Sequence, residues 1–306
     1  MTNIGLYRLW GSGYPGLLIT MADPFSSAIR SLFPRHLGKD SSEIKHDVAL
    51  VPEPEGPQGI WSISVRYEGN TIGYLPAEIA GKWAGPVRRV VASGSLPVTA
   101  STIWGNARDG WGGPTFSAYA LLRLQTPVEA LPNNGPPLAP YTMLPPGPFV
   151  KVIKLEEHVA DLLRLTPPGS RGLFIATLRE RPPSEGRRAS VVEVCIDGRC
   201  VGQLTLPMSQ RYLPLVQHFQ GRGLVTACHV DVAGSTVASE VRIHAVKANE
   251  ADDEFLRGEP VTLLPLVPRK DDPLTYDLAP MADYLRPQPM PIAAEPISEA
   301  TGEPIS

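Results

Sequence analysis

From Trp61 to Leu75, WSISVRYEGNTIGYL, apolar residues alternate with polar ones: Ile63, Val65 and Tyr67 share one face, Glu68-Gly69-Asn70 interrupts, and the alternation resumes at Ile72. VVEVCIDGRCVGQL, Val191 to Leu204, has the same rhythm around Asp197-Gly198. A short turn of the Asp-Gly or Gly-Asn kind between β-rich runs predicts a hairpin, because glycine takes positive φ without steric penalty. After each hairpin the apolar period lengthens. Ile79, Trp83, Val87 and Val90 follow helical spacing up to Gly94, and Met208, Tyr212, Leu215, Val216 and Phe219 do so up to Gly221 or Gly223. Pro86 and Pro214 interrupt these runs, which predicts two short helices in each place. Strands are predicted upstream at DVALVPEP and GLFIATLRE. Others are predicted downstream at LPVTASTIWG and FSAYALLRLQ, and at LVTACHVDVAG and VASEVRIHAVKA. KLEEHVADLLRL reads as an amphipathic helix before the second set, with AIRSLF as its only counterpart before the first.

The two sets align without a gap at an offset of 129: Val65 on Val194, Gly69 on Gly198, Gly73 on Gly202, Leu75 on Leu204, Val87 on Val216 and Gly94 on Gly223. Similar pairs fill the spaces, including Glu68/Asp197, Ile72/Val201 and Trp83/Tyr212. This is an internal duplication. Its period is far longer than the repeats of a solenoid, so it predicts two domains. Each unit reads as about five short strands with one helical insertion. The expected fold class is mainly β with short helices, as two tandem, small, partly open OB- or SH3-like barrels plus a disordered tail. The expected boundaries are an N-terminal extension over 1–46, a first domain over 47–125, a Pro-rich linker over 126–150, a second domain over 151–248 and a tail over 249–306. Met21 is a candidate start, in which case residues 1–20 would have no structural role. Gly73 and Gly202, isolated inside return strands, mark a bulge, a bend or the close approach of another backbone.

Composition adds three points. The 28 Gly and 34 Pro in 306 residues argue for many turns and some unfolded sequence. The net charge of −3 hides an asymmetry: from Asn249 onward 12 acidic residues face 4 basic ones, and the rest of the chain carries +5. With ten prolines, that acidic tail is expected to be disordered. The three cysteines, with no CxxC pair, argue against a disulfide framework or a structural zinc site and read as small buried residues of a reducing cytosol. No apolar run is long enough to span a membrane and no signal peptide is evident, so the expected location is cytoplasmic.

The stretch LVPEPEGPQGIWSISVRYEGNTIGYLPAEIAGKW, through Glu53-Pro54, Pro57, Ser62-Ile63-Ser64-Val65 and Ile72-Gly73-Tyr74-Leu75-Pro76, resembles the HIRAN domain. Val191–Val194 and Val201-Gly202-Gln203-Leu204 fit the same pattern more loosely. The resemblance covers about fifty residues of each copy. It implies a modified OB-like fold, found fused to chromatin remodellers and alone in bacteria, with a pocket that holds the 3′ end of single-stranded DNA. The family's loop Tyr-Asp falls on Gln58-Gly59, so the ring and the carboxylate of such a pocket are replaced here.

The expected function is therefore a non-catalytic nucleic-acid-binding protein for single-stranded DNA or DNA ends. The alternative is an adaptor whose β domains and Pro-rich linker and tail bind another protein. Candidate contacts are Tyr74 for stacking, Lys82, Arg88 and Arg89 along the first helix, Arg108 and Trp111 in a Gly-rich loop of the first copy, and the arginine loop Arg179, Arg181, Arg187 and Arg188. Each has a plainer reading: a packed strand aromatic, a solvated helix face, a hairpin tip, a charged loop. No catalytic, cofactor or metal motif is present. The six histidines lack metal spacing, and His229 and Asp231, two apart on one strand face, have no evident nucleophile beside them.

Overall fold

The computed structural model describes residues 5–11, 16–20, 29–30, 32–33, 42–110, 113–124, 126–166, 169–183, 189–234 and 239–278. The first sheet comprises β1 (Gly5–Arg8), β2 (Leu17–Thr20), β3 (Ser42–Pro52), β4 (Ile63–Tyr67), β5 (Asn70–Tyr74), β6 (Ser95–Gly110) and β7 (Gly113–Leu122), with helix α1 (Ala77–Ala92) between β5 and β6. Its strand order is β2-β7-β6-β3-β4-β5, with β1 against β6. The second comprises β8 (Tyr141–Met143), β9 (Phe149–Lys151), β10 (Arg171–Arg181), β11 (Val191–Ile196), β12 (Arg199–Gln203), β13 (Val225–Gly234) and β14 (Ser239–His244). Helix α2 (Val159–Leu165) precedes β10, α3 (Leu206–Gly221) follows β12 and α4 (Asp253–Arg257) follows β14. The order here is β12-β11-β10-β13-β14-β9, with β8 against β13. The described residues form two compact units, one within 1–13, 85–97 and 124–281, the other within 14–84 and 98–123.

The fold is mainly β, and the duplication holds at the level of register. Ser64 faces Tyr74 and Val65 faces Gly73, and the ladder then slips at a bulge. Glu193 faces Gln203 and Val194 faces Gly202, followed by the same slip. Ala49 opposes Val98 as Thr177 opposes Ala227. Both hairpins turn on a positive-φ pair, Glu68 at 48° with Gly69 at 83° and Asp197 at 49° with Gly198 at 78°. Two central residues at positive φ define a type I′ turn, whose twist matches that of the flanking strands.

The second sheet curls until its ends meet. Ile153, just beyond β9, exchanges both backbone hydrogen bonds with Gln203 of β12, at 2.8 and 3.0 Å. Gly202 makes this approach possible, since a Cβ there would lie 2.7 Å from the Ile153 carbonyl oxygen and 2.6 Å from Val152 Cγ1. Inside the barrel Phe174, Ala176 and Leu178 of β10 pack with Val192, Val194, Val201, Cys228, Val230 and the α3 residues Tyr212, Val216 and Phe219. In the first barrel Leu50, Ile63, Val65, Ile72, Leu75 and Ile103 are fully buried.

Several expectations are corrected. Each predicted helix pair is one continuous 16-residue helix, with Pro86 or Pro214 inside it. An internal proline costs a helix about 3 kcal/mol, and burial of Trp83 and Val87, or of Tyr212, Leu215 and Val216, outweighs that cost. KLEEHVADLLRL splits into a 3-10 turn over Leu155–His158 and the short α2, with only Leu162 buried. The described residues of the first twenty, 5–11 and 16–20, are structural: β1 and β2 are sheet strands, and Tyr7, Leu9 and Trp10 are buried. The Pro-rich linker supplies β8, β9 and a backbone bond from Asn133 to the Leu173 carbonyl. GNARDG continues β6, so the extension in the first copy is a longer hairpin. Part of the acidic tail is ordered. Val261 and Leu263 bond β8 through Thr142, Met143 and the Tyr141 hydroxyl, Val267 bonds Ser93, and Phe255 packs on Phe219. Residues 279–306 lie outside the described residues.

Candidate functional site

On β10 the residues with odd numbers point away from the barrel core, because side chains alternate along a strand. Ile175, Thr177 and Arg179 thus line the floor of a cavity of about 400 Å³. Its opposite wall is the linker run Asn134 to Ala139, with Asp197 and Gly198 of the hairpin tip and Val225 at the sides. Asn134 fastens that wall. Its side chain accepts from the Ile175 N–H at 2.7 Å, donates to the Ile175 carbonyl at 2.9 Å and donates to Asp197 Oδ1 at 2.9 Å. Asp197 is so engaged, whereas the exposed Arg179 has no hydrogen-bond or ion-pair partner among the described residues. The result is an apolar slot of Pro136, Pro137, Leu138, Ile175 and Val225 with one available guanidinium at its edge.

Two residues further on, Arg181 is bound on the same outer face. It pairs with Glu193 Oε1 at 2.9 Å and donates to Gln203 Oε1. The first barrel has a counterpart with the charge reversed. Glu53 receives a hydrogen bond from Arg66, whose Nε donates to Ser64 Oγ at 3.0 Å, and from the Tyr74 hydroxyl at 2.6 Å. Glu53 and Arg66 are sealed, with side chains 1% and 2% exposed, against 22% for Glu193 and 36% for Arg181. Gln58 closes the loop above by donating to the Leu75 carbonyl at 2.7 Å. Burial and the Glu53 carboxylate together raise the Tyr74 phenol pKa. Tyr74 is therefore a half-buried partner of Glu53, the plainer of its two readings.

The other sequence candidates separate. Lys82 is exposed on α1. Arg88 is buried and Arg89 donates from Nε to the Val267 carbonyl at 2.8 Å; burial lowers both guanidinium pKa values, and the ordered tail covers this part of the helix. The Arg108 side chain, Trp111, Arg187 and Arg188 lie outside the described residues. Trp104, beside that hairpin, stacks on exposed Tyr119 at 5.0 Å with 20° between the rings, and its indole N–H donates to Glu43 at 3.3 Å. Asn134 was missed by the sequence reading. The Asn134-Gly135 step after Pro132-Asn133 marks only a turn, and the role of Asn134 depends on Ile175, on a strand about forty residues away.

Two clusters stand apart from the slot. Trp10 packs on His229 at 4.6 Å and edge-on to His244 at 5.1 Å, while His244 is paired with Asp231. Burial, reinforced by His244, lowers the His229 pKa to about 4. The expected absence of a disulfide is corrected: Cys195 and Cys200, opposite each other on β11 and β12, are joined, and Cys228 is a free buried thiol whose pKa burial pushes up to about 12. No helix among the described residues is long and apolar enough to cross a membrane. No protein-family model matches the chain, and neither the curated proteins nor the solved structures contain a significant match to it.

Proposed function

We propose that this chain is a non-catalytic, HIRAN-like binding protein for single-stranded nucleic acid or its ends, with the slot on the second barrel as its contact. The observation that carries this reading is the exposed Arg179, without a hydrogen-bond or ion-pair partner among the described residues, at the edge of a cavity of about 400 Å³ with an apolar wall. A guanidinium at the rim suits a backbone phosphate, and the slot beside it suits the flat face of a base. The Tyr119 ring, exposed and stacked on the half-buried Trp104, gives the first barrel a face on which a base can stack. The Glu53–Arg66 and Arg181–Glu193 pairs are each internally neutralised, so the second barrel is favoured as the anion-binding half by the exposed Arg179 at the slot.

Fluorescence anisotropy of the full chain with short labelled oligonucleotides tests this. Binding is expected at low salt and falls steeply with added salt. Arg179→Ala should lower the slope of log K against log salt by about 0.7, the value for one phosphate contact on a single strand. Blocking the 3′ end separates end recognition from strand binding. Absence of binding at low salt, or binding unaffected by Arg179→Glu, overturns the proposal. Preferential, salt-insensitive binding of a peptide would instead assign the Pro136–Leu138 wall to a protein partner.

A further inference from the structure

The hairpin β11–β12 carries donor atoms that nucleic-acid binding does not use. Glu193 and Cys195 are two residues apart on one strand and so share a face. Cys200 sits across from Cys195 in register, with 3.8 Å between Cα atoms. Cys200 Sγ is 3.5 Å from Glu193 Oε2, and one ligand atom from each of the three residues lies within 4.8 Å of the others. We propose that, once the Cys195–Cys200 bond is reduced, this hairpin is a binding site for a thiophilic divalent cation such as Zn²⁺, with Cys195, Cys200 and Glu193 as its protein donors.

Donor chemistry and charge both support this. Two thiolates and one carboxylate select a soft or borderline cation over Mg²⁺ or Ca²⁺. Tetrahedral zinc, with Zn–S of about 2.3 Å and Zn–O of about 2.0–2.2 Å, needs donors roughly 3.5–4 Å apart, which is within reach of the observed cluster. Arg181 pairs with Glu193 Oε1 at 2.9 Å and leaves Oε2 turned toward Cys200. It thus acts as the outer partner that orients a ligating carboxylate. Three negative donors and the Arg181 cation sum to −2, which a divalent cation neutralises. Cys195 is fully buried while Cys200 and Glu193 are half-buried, so the ion enters from the Cys200 side.

The chemistry balances in two steps. A dithiol supplies two electrons and two protons and becomes a disulfide, or a phosphine supplies two electrons while water supplies the two protons and the oxygen of the phosphine oxide; either way the S–S bond is replaced by two thiols. Binding of the cation then releases two protons as both thiols become thiolates. The turn and the backbone ladder hold the two strands together in either state, because the Glu193–Gln203 and Val194–Gly202 pairs do not depend on the sulfurs.

The test uses the full chain, reduced with a phosphine that is then removed without oxygen, and titrated with Co²⁺ as a spectroscopic substitute for Zn²⁺. One equivalent should produce thiolate-to-cobalt charge-transfer absorption, and Zn²⁺ should abolish it. The unreduced chain should show none. Cys200→Ser should eliminate the band, Cys228→Ser should leave it intact, and Glu193→Gln should weaken binding by at least the roughly 10–100-fold that loss of an outer partner costs such sites. Circular dichroism confirms that the half-buried variants at 193 and 200 remain folded. A reduced chain without the band, a band that survives Cys200→Ser, or a bond that cannot be reduced while the chain is folded overturns the proposal. None of these outcomes bears on oligonucleotide binding.

Discussion

Glu53 and Arg181 occupy the same place in the two halves and carry opposite charge. The Glu53 N–H donates to the Ser62 carbonyl, and Arg181 pairs with Val191, the residue that aligns with Ser62. Each side chain lies over the strand pair that follows, where Glu53 finds Arg66 and Tyr74, and Arg181 finds Glu193 and Gln203. The duplication thus kept a Glu–Arg pair on the outer face while exchanging which residue stands at the aligned position and how exposed the pair is. The two halves share a scaffold and differ in what they can attract.

Arg66→Leu should destabilise the first barrel by about 3–5 kcal/mol, because it leaves the Glu53 carboxylate buried and uncompensated. The double substitution Glu53→Leu with Arg66→Leu should recover much of that loss. Denaturant unfolding of the full chain measures both, and equal destabilisation by the single and double variants would contradict the account.

Gly202→Ala should cost about 1–3 kcal/mol, the usual range for forcing an atom into filled space. The obstacle is the Ile153 carbonyl, a backbone atom that cannot rotate aside. Gly221→Ala, at a helix end where a Cβ meets nothing within 4 Å, serves as the control and should be neutral. Hydrogen exchange at the Ile153 and Gln203 amides reads the closure directly and should accelerate only in the Gly202 variant.

The second barrel should lose stability as pH falls from about 6.5 toward 4. His229, lowered to about 4 by burial, stays neutral in the fold while the unfolded chain binds a proton from its ordinary 6.5 downward. Its contribution is therefore complete above 6.5 and lost through that window, at up to roughly 1.4 kcal/mol per pH unit. Melting temperature against pH should flatten in His229→Gln relative to the wild-type chain. Trp10 fluorescence, identified by difference from Trp10→Phe, should follow the same profile.

Truncation after Glu250 should lower the melting temperature and expose apolar surface to a hydrophobic dye. It removes Phe255 from Phe219, the Leu263 bonds to the Tyr141 hydroxyl and the Val267 carbonyl that receives Arg89. Tyr141→Phe, which deletes only the hydroxyl, should cost about 1–3 kcal/mol by leaving the Leu263 amide without its acceptor. A truncated chain as stable as the whole would show that these contacts contribute nothing.

The hairpins, the helices after them and the duplication were set by local chemistry: period-two and period-3.6 burial, and Gly69 and Gly198 following Glu68 and Asp197 at positive φ. Those signals lie within a few residues of the elements they specify, so they can be read from the sequence. Tertiary structure alone decided the rest. Short β1, β2, β8 and β9 have too few residues to show a period and exist because a long strand offers them a hydrogen-bonding edge. Pro86 and Pro214 remain helical because the buried faces around them outweigh a local defect. Arg179 and Arg181 are indistinguishable in composition, yet one is bound by Glu193 and Gln203 and the other stands at the edge of the slot. Whether a charge is spent or available depends on partners brought to it from distant parts of the chain, and no local pattern encodes them.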